Sequence, residues 1–412
     1  MRVFVAAGEV SGDVAGAGIA RAIIHRAPDA ALFGIGGARM EAAGVVIDLP
    51  TNHLGTVGLS EAVTVVPSMW RVFQRVKRMV ARTPPDAAVL IGNDVFSVLL
   101  GRWLRAHDIP TAAYFPPQIW IWGALATPIS RSYDAIFSCF PQEHGVYARA
   151  ASRTGAAAVF VGHHLADQLA PRSPADIRAA RHRLGLPEDQ PVVSLLPGSR
   201  RREVKLLAPA LLAAARTLAD RDHALRFAVA VAEPEYRSVV ELEIERRSLA
   251  DRVVICSSGP EALLASDLAL IASGTASLEA TLLGVPMISV YRVSRVTETA
   301  VRTAIRLGLM AGETTALPNL VLGKPVVPEL TQGAVTASNI ARTAQAILDS
   351  EHARREMCRL LTEVAHHLRG PDSFGLAAEG ILALARHHAL PARARPVSPT
   401  PAGAGDRPLL RA

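Results

Sequence analysis

Short apolar runs alternate with helix-like stretches along the first half of this chain, and no other feature limits its fold so strongly. Each run is rich in Val, Ile and Ala, and the predicted strands are 3–7, 31–34, 87–91, 111–115, 135–138 and 158–161. Strands that are apolar throughout and separated by helices are typical of a parallel sheet covered on both faces. We therefore expect an α/β fold.

The pattern breaks near residue 170 and then starts again. Ser173 and Pro174 are typical of a helix N-cap followed by a first-turn proline, and that helix should end near Gly185. New predicted strands follow at 192–196, 227–231, 253–255, 268–271 and 287–291. A chain of 412 residues exceeds one domain of ordinary size. We predict two facing Rossmann-like domains, 1–170 and 187–365, with the ligand in the cleft between them.

Composition narrows the class of partner. The formal net charge of +7 suits phosphates, nucleotides and acidic lipids. Nucleic acid is disfavoured, because aromatic residues make up only 5% and no basic block is interleaved with them. Three widely separated cysteines favour neither a disulfide framework nor a zinc site, and fit a reducing cytoplasm. No apolar run approaches the ~20 residues that span a bilayer. Residues 389–412, rich in Pro, Ala and Arg, are predicted to be disordered.

The strongest local motif follows the strand that ends at Ile271. Small residues make a turn around Gly274, and a helix is expected to begin near Ser277. Exposed amides at a helix N-terminus bind anions, and glycine lets a phosphate approach the backbone. Glu279, expected on the first turn of that helix, can accept hydrogen bonds from ribose hydroxyls. The alternative is an ordinary capped turn in which Glu279 only favours the helix dipole.

Two other turns carry polar residues after predicted strands. Pro197 and Gly198 lead to Arg200, whose guanidinium suits a diphosphate, although a solvated basic loop is the alternative. In the first half, Glu9 and Asp13 stand among glycines between a strand and a helix. They suit a polar site that contacts sugar hydroxyls, but a glycine-rich loop alone is weak evidence.

Seven segments in order resemble those of the lipid-A-disaccharide synthases, from about residue 3 to about residue 385. They are AGEVSGD (7–13), GIGGARM (34–40), LGTVGLSEA (54–62), VGHHLAD (161–167), LPGSRRREV (196–204), ASGTASLEA (272–280) and LPN (317–319).

The resemblance implies a glycosyltransferase-B fold and an inverting transfer. A UDP-diacylglucosamine donor would react with diacylglucosamine 1-phosphate to give a β-1,6 disaccharide phosphate and UDP. Such enzymes are peripheral on the inner face of the bacterial inner membrane and use neither a cofactor nor a metal of the DxD type. Their last helix crosses back to the first domain, which here corresponds to 371–388. The UDP contacts carried over are Ser199, Arg200, Ser273, Gly274, Thr275, Ala276, Ser277, Glu279, Asn319 and Gln332.

The acceptor side departs from the family pattern. A family segment with two acidic residues is replaced by 92–97, where Asp94 is the single carboxylate and our first choice for the catalytic base. A Trp-containing family segment ends in Arg, which is Gly123 here. Glu9, Asp13 and His163 are further catalytic candidates. Two alternatives stay open: another enzyme of this fold that processes UDP-sugars, and a non-catalytic paralogue that binds UDP or lipid.

Residues 57–80 are apolar but basic, with Arg71, Arg75, Lys77 and Arg78 among them. Apolar residues recur there at helical spacing. We predict a surface helix that dips into the bilayer, with its cations on lipid phosphates. The alternative is an amphipathic helix packed on the sheet. A homodimer is left open. The predicted lipid contacts are Val66, Met69, Trp70, Phe73 and Val76.

Overall fold

The computed structural model describes residues 1–50, 62–92, 95–118, 123–231, 233–306 and 314–387, and the predicted tail lies outside these ranges. The chain divides into two compact units. The first takes its described residues from Met1–His164, Thr299–Gly312 and Leu368–Ala412, and the second from Leu165–Glu298 and Glu313–His367. In the described part of the chain, no helix is long and apolar enough to cross a membrane.

The first unit is built on a sheet of seven described parallel strands. Its elements up to residue 160 are β1 (Arg2–Ala7), α1 (Val10–Arg26), β2 (Ala31–Gly36), α2 (Ala38–Ala42), β3 (Val45–Pro50), α3 (Ala62–Arg82), β4 (Ala87–Ile91), α4 (Val95–Arg105), β5 (Thr111–Tyr114), a 3-10 turn (Gly123–Leu125), α5 (Ala126–Ser130), β6 (Ala135–Ser138), α6 (Pro141–Thr154) and β7 (Ala157–Phe160). The strand order is β3-β2-β1-β4-β5-β6-β7.

The first sheet has its core on both faces because helices cover both. β1 lies between β2 and β4, with Val3 paired to Leu32 on one side and to Ala87 on the other. Phe4 and Val5, which point to opposite faces, are both fully buried. A strand with two buried faces has no position for a solvated side chain, which is why its sequence is apolar throughout.

The second unit is built on a sheet of six described parallel strands; of the described residues in 164–368, residues 164, 299–306 and 368 belong to the first unit. Residues 164–368 form, in order, α7 (His164–Gln168), α8 (Pro174–Leu184), β8 (Val192–Leu196), α9 (Arg201–Arg221), β9 (Arg226–Ala230), a 3-10 turn (Pro234–Tyr236), α10 (Arg237–Glu245), β10 (Val253–Cys256), α11 (Gly259–Ala265), β11 (Leu268–Ala272), α12 (Thr275–Leu283), β12 (Met287–Tyr291), α13 (Arg295–Arg306), α14 (Leu317–Leu322), β13 (Glu329–Thr331), a 3-10 turn (Gln332–Ala334), α15 (Ala337–Leu348) and α16 (Glu351–Leu368). The strand order is β10-β9-β8-β11-β12-β13.

The last described helix, α17 (Ser373–His387), is part of the first unit and packs on α1. The close approach needs Gly18, since a Cβ there would lie 2.2 Å from the Phe374 ring. The Ser373 hydroxyl donates to the Gly162 carbonyl at 2.9 Å and lies 2.7 Å from the Tyr114 hydroxyl. These contacts fix the start of α17 at the carboxyl ends of β5 and β7.

The α/β class with two parallel sheets is confirmed, and several strands have the predicted bounds. The N-cap prediction is also confirmed: Ser173 forms a capping box with Asp176, and Gly185 ends α8 with φ 67°. Two strands were missed. β3 alternates between buried and exposed residues, and β13 has only three residues. Neither has the continuous apolar run by which the other strands were recognised.

Candidate nucleotide site and polar residues of the first unit

In the second sheet the strand order reverses between β8 and β11. The chain moves outward from β8 through β9 to β10, whereas β11, β12 and β13 follow on the other side of β8. In open α/β sheets, ligands bind outside the carboxyl ends of the strands at such a switch point. The loops that follow β8 and β11 contain Arg200 and Gly274, so these two predicted contacts flank the switch point.

The turn after β11 presents the N-terminus of α12. Gly274 has φ 152° and ψ −156°, a conformation that side chains make costly. Apart from its chain neighbours, no described atom lies within 4 Å of where its Cβ would be. The turn is fixed by the Ser273 amide, which donates to the Val290 carbonyl at 2.9 Å, and by the Ser277 hydroxyl, which donates to the Gly274 carbonyl at 2.6 Å. The Ser277 amide also donates to the Gly274 carbonyl, at 3.0 Å. The two amides before it, at the start of α12, have no intrahelical acceptor, so this open turn can bind an anion.

Glu279 lies in the second turn of α12, not in the first as predicted. The helix begins at Thr275, because Gly274 lets the chain turn directly after the strand. Burial raises the pKa of the Glu279 carboxyl to about 7, and no described residue donates a hydrogen bond to it. Its Oε2 lies 3.4 Å from where a Cβ would be on Gly259, the residue that opens α11. A helix dipole acts mainly within the first turn, so this carboxyl is better suited to hydroxyl donors of a ligand.

Arg200 is the N-cap of α9, and its side chain is 53% exposed. Its Nη1 lies 3.5 Å from Oε1 of Glu203. The other oxygen of Glu203 accepts from the amides of Ser199 and Arg200 at 3.2 and 3.4 Å. Gly198, with φ 108°, leaves room for this carboxylate, because a Cβ there would lie 2.4 Å from Oε2. Glu203 therefore closes the turn and lies beside the guanidinium.

Two polar side chains lie at the ends of β12 and β13. Tyr291, which was not predicted from the sequence, lies near Arg200 and Glu203. Burial raises the pKa of Tyr291; the negative charge of Glu203 raises it further, and the positive charge of Arg200 lowers it. Gln332 has φ 50°, and its Oε1 accepts from the Val293 amide at 3.3 Å. A tyrosine as the last residue of a buried strand is the signal by which Tyr291 could have been found.

The predicted nucleotide contact by the Asn319 side chain is corrected by the structure. Its Oδ1 accepts from the amides of Val326 and Val327 at 2.7 and 2.9 Å. Its Nδ2 donates to the Val327 carbonyl at 3.0 Å and to Oε1 of Glu329 at 2.6 Å. These four bonds fill the capacity of a side-chain amide. The Asn319 side chain holds the chain that leads to β13 and has no donor or acceptor left for a nucleotide.

The first sheet also reverses its strand order, between β1 and β4. Glu9, the half-buried N-cap of α1, follows β1. Gly12 approaches the end of β4 so closely that a Cβ there would lie 3.4 Å from the Ile91 carbonyl oxygen. Asp94 follows β4 in the sequence, but it lies outside the described residues, as do residues 119–122 of the altered Trp segment. Asp94 therefore stays a prediction.

Asp13, predicted as a catalytic candidate, has a capping role instead. It is 6% exposed, and its Oδ1 accepts from the amides of Gly37 and Met40 at 2.7 and 3.1 Å. Its Oδ2 accepts from the Arg39 amide at 3.1 Å. These donors belong to the turn between β2 and α2 and to the first turn of α2, which lack partners within the helix. The carboxylate of Asp13 thus fastens α2 to α1 and is enclosed.

His163 is also corrected: the structure makes it part of the core. It is 3% exposed, and its ring lies 5.0 Å from that of Phe115 and 5.5 Å from that of Phe140. Burial, with the neighbouring His164, lowers the pKa of His163 well below its usual value, so the ring is neutral at pH 7. A ring enclosed in this way does not reach a sugar.

The predicted lipid helix is α3, and its side chains divide into two groups. Val76 is fully buried in the core, so its predicted lipid contact is wrong, because it lies on the face of α3 that packs on the sheet. Met69 and Phe73 pack partly against the same core. Trp70 is 61% exposed and stacks on Phe73 at 6.3 Å. The side chain of Val66 lies outside the described part of the structure.

Comparison with solved structures shows the fold. A UDP-GlcNAc 2-epimerase from Neisseria meningitidis, bound to UDP-GlcNAc, superposes with a TM-score of 0.59 at 11% identity, over 93% of this chain and 98% of that chain. MurG from Acinetobacter baumannii superposes with a TM-score of 0.55 at 14% identity, over 92% and 99%. Likeness at such identities shows the fold alone. It is the fold of the glycosyltransferase-B class, with two parallel-sheet α/β domains.

Sequence comparison gives the family. A family model described as lipid-A-disaccharide synthetase matches residues 3–370. The lipid-A-disaccharide synthase of Myxococcus xanthus is 34% identical over 385 residues, which cover 93% of this chain and 97% of that protein. The chain belongs to the lipid-A-disaccharide synthase family of glycosyltransferases, as the seven ordered segments predicted.

Proposed function

We propose that this chain transfers 2,3-diacylglucosamine from UDP to 2,3-diacylglucosamine 1-phosphate and releases UDP. The observation that carries the proposal is the anion site at the switch point of the second sheet. There, the Arg200 side chain follows β8, and the open turn at Gly274 and the Glu279 carboxyl follow the neighbouring strand β11 at the same sheet edge. Membership of the family supplies the substrate class.

Each group has a defined part in UDP recognition. The amides at the start of α12 donate hydrogen bonds to the diphosphate oxygens, and Arg200 adds a full positive charge. Glu279, when ionised, accepts from the ribose hydroxyls. As the glycosidic C–O bond breaks, negative charge grows on the departing UDP. Preorganised amides and a guanidinium stabilise that charge more than they stabilise the bound donor, which lowers the barrier.

The acceptor supplies the attacking oxygen. Its 6-hydroxyl forms the new bond to the anomeric carbon from the face opposite UDP, which inverts the configuration. The hydroxyl proton passes to a base, and Asp94 is our candidate because it follows, in the sequence, the strand β4 that borders the switch point of the first sheet.

Incubation of the purified protein with both lipid substrates tests the proposal. We expect stoichiometric UDP release and a disaccharide monophosphate in the mass spectrum. Conversion of UDP-GlcNAc without any acyl chain would favour the UDP-sugar-processing alternative. UDP binding without turnover of any acceptor would favour the non-catalytic alternative. Absence of UDP binding by folded protein would refute the proposal as a whole.

We also propose that α3 and α4 contact the membrane surface. Exposed apolar side chains occur on both helices: Trp70 on α3, with Val95 and Leu99 on α4. Phe73 connects the helices, because its ring contacts that of Phe96 at 6.1 Å. Arg71, Arg75 and Arg78 on α3 can bind lipid phosphates while Trp70 enters the interface.

Vesicle co-sedimentation tests this surface. With vesicles rich in anionic lipid, Trp70→Glu should reduce the bound fraction severalfold, because it removes an apolar anchor and adds repulsion. Leu242→Glu is the matched control, since Leu242 is an exposed apolar residue of the second unit. Equal losses in both variants, or none in either, would contradict the assignment.

A further inference from the structure

A chain of hydrogen bonds runs from the nucleotide turn to the last strand of the second sheet. The Ser273 hydroxyl donates to the Thr315 carbonyl at 2.7 Å. The amide and the hydroxyl of Thr315 both donate to Oε2 of Glu329, at 2.8 and 3.2 Å. Through Thr315, Glu329 therefore helps to fix the position of Ser273, the residue that precedes Gly274.

The other carboxylate oxygen of Glu329 holds the far end of the same segment. Oε1 accepts from Nδ2 of Asn319 at 2.6 Å, and Asn319 is fastened by its remaining bonds to Val326 and Val327. One carboxylate thus fixes both Thr315 and Asn319. In the described part of the chain, no Lys, Arg or His forms an ion pair with Glu329. Its charge is met by N–H and O–H donors alone, and such bonds to an ionised group are stronger than neutral ones.

The sheet fixes Glu329 in turn. It opens β13 opposite Ser289 of β12, and the Ser289 amide donates to the Pro328 carbonyl at 2.9 Å. The next residue of β12, Val290, accepts from the Ser273 amide. Ser273 is therefore held by two routes from the same strand pair: its amide directly by β12, and its hydroxyl through Thr315 by Glu329.

We propose that Glu329 is a positioning residue of the nucleotide site, which aligns the amides after Ser273 for a diphosphate without touching it. The proposal rests on the proposed function, since it assumes that UDP binds at the Gly274 turn. Replacing Glu329 by Gln weakens the bonds from Thr315, because the acceptor is no longer charged. It also places the new amide N–H donor next to the Nδ2 donor of Asn319, so the bond between these two residues is lost. Thr315 then no longer fixes the Ser273 hydroxyl, and the turn loses part of its preorganisation.

The matched pair for the test is Glu329→Gln and Glu351→Gln. Glu351 is an exposed residue of α16 that pairs with Arg355 one turn along the same helix. In calorimetric titrations with UDP, Glu329→Gln should weaken binding about tenfold, the size expected for lost charge-assisted hydrogen bonds. Glu351→Gln should match the wild type. In steady-state assays, KM for the donor should rise while kcat changes little, because Glu329 touches no reacting atom.

A double-mutant cycle with Ser273→Ala shows whether Glu329 acts through Ser273. If it does, the double variant should lose little more UDP affinity than the weaker-binding single variant. Additive losses would overturn the proposed route. Thr315→Val removes one of the three bonds to Glu329 and should weaken UDP binding about twofold to threefold.

The outcomes separate the two proposals. If the wild type binds no UDP, the proposed function fails. If the wild type binds UDP and Glu329→Gln binds it equally well, the positioning role is overturned while the site stands. Should Glu329→Gln not fold, the cycle between Thr315→Val and Ser273→Ala decides, because additive losses there would contradict the hydrogen-bond chain.

Discussion

The two units share a parallel sheet with a reversal in strand order, yet they present polar residues differently at the carboxyl ends of their strands. In the second unit, Thr275 and Arg200 are exposed, and the Glu279 carboxyl accepts no described hydrogen bond. In the first unit, Asp13 is buried under three amide donors, and His163 is enclosed by aromatic rings.

The difference reflects how each kind of site is built. An anion site needs only main-chain amides and a glycine turn, which a strand-to-helix connection supplies where no side chain caps the amides. A catalytic base needs one particular side chain in one geometry. Neighbouring amides can instead donate hydrogen bonds to that side chain, which then caps a helix and is no longer available as a base. The second unit should therefore govern nucleotide affinity, and the first should govern the chemical step.

The largest effect is expected for Asp94→Ala. A general base contributes about 10²–10⁴-fold to a rate, so kcat should fall on the order of a thousandfold. UDP affinity, measured by calorimetry, should not change, because Asp94 belongs to the chain of the first unit. Wild-type turnover in this variant would remove Asp94 from the mechanism and leave the first unit without a named base.

Arg200→Ala should lower kcat/KM for the donor about a hundredfold, the loss expected when one charged stabiliser of the leaving group is removed. UDP binding should weaken as well. Arg200→Lys should recover only part of the loss, because an ammonium lacks the bidentate geometry. Arg201→Ala, at an exposed position one residue along, is the control. If both variants behave alike, Arg200 belongs to a solvated basic loop.

Asp13→Ala should lower the free energy of unfolding of the first unit by about 2 kcal/mol, because buried amide donors of α2 lose their acceptor. The activity of the remaining folded protein should change little. Denaturant titration followed by activity assays separates the two effects. A large loss of kcat at unchanged stability would show that Asp13 acts in catalysis after all, and would remove the contrast between the units.

The smallest effect is the pH dependence of UDP binding. Burial raises the pKa of Glu279 to about 7, so the carboxyl gains a proton as the pH falls below that value and loses it above. Ribose hydroxyls donate best to the ionised form. Affinity should therefore rise up to about tenfold between about pH 6 and pH 8. In the Glu279→Gln variant, any remaining pH dependence of binding comes from the titration of UDP itself. If UDP affinity depends on pH equally in this variant and in the wild type, Glu279 does not bind the ribose as a carboxylate.

Much of the second unit could be predicted because its signals are local. The strands at 192–196 and 287–291 have the predicted bounds, since a strand buried on both faces must be apolar at every position. The Gly274 turn was recognised from a strand end followed by small residues. The start of α12 was missed by two residues, because small residues fit a turn and a first helical turn equally well.

The roles of single polar residues depended on partners far along the chain. Asp13 meets amides 24 to 27 residues away, and Asn319 meets Glu329, the first residue of a three-residue strand. Val76 was predicted to contact lipid because the spacing of apolar residues on α3 fits contact with either a bilayer or the sheet. In the structure, Val76 packs in the core against the sheet. None of these partnerships leaves a periodic trace in the sequence.

The sequence by itself determined the α/β class, most strands and the glycine turn at Gly274, because these depend on the hydropathy and backbone freedom of adjacent residues. Only the tertiary structure decided that Asp13 and His163 are enclosed, that Asn319 is fully bonded and that Glu279 lies half-buried beside Gly259. The reason is physical. A carboxyl or an amide has the same chemistry at every site, and its role is set by the donors, acceptors and solvent that folding brings around it.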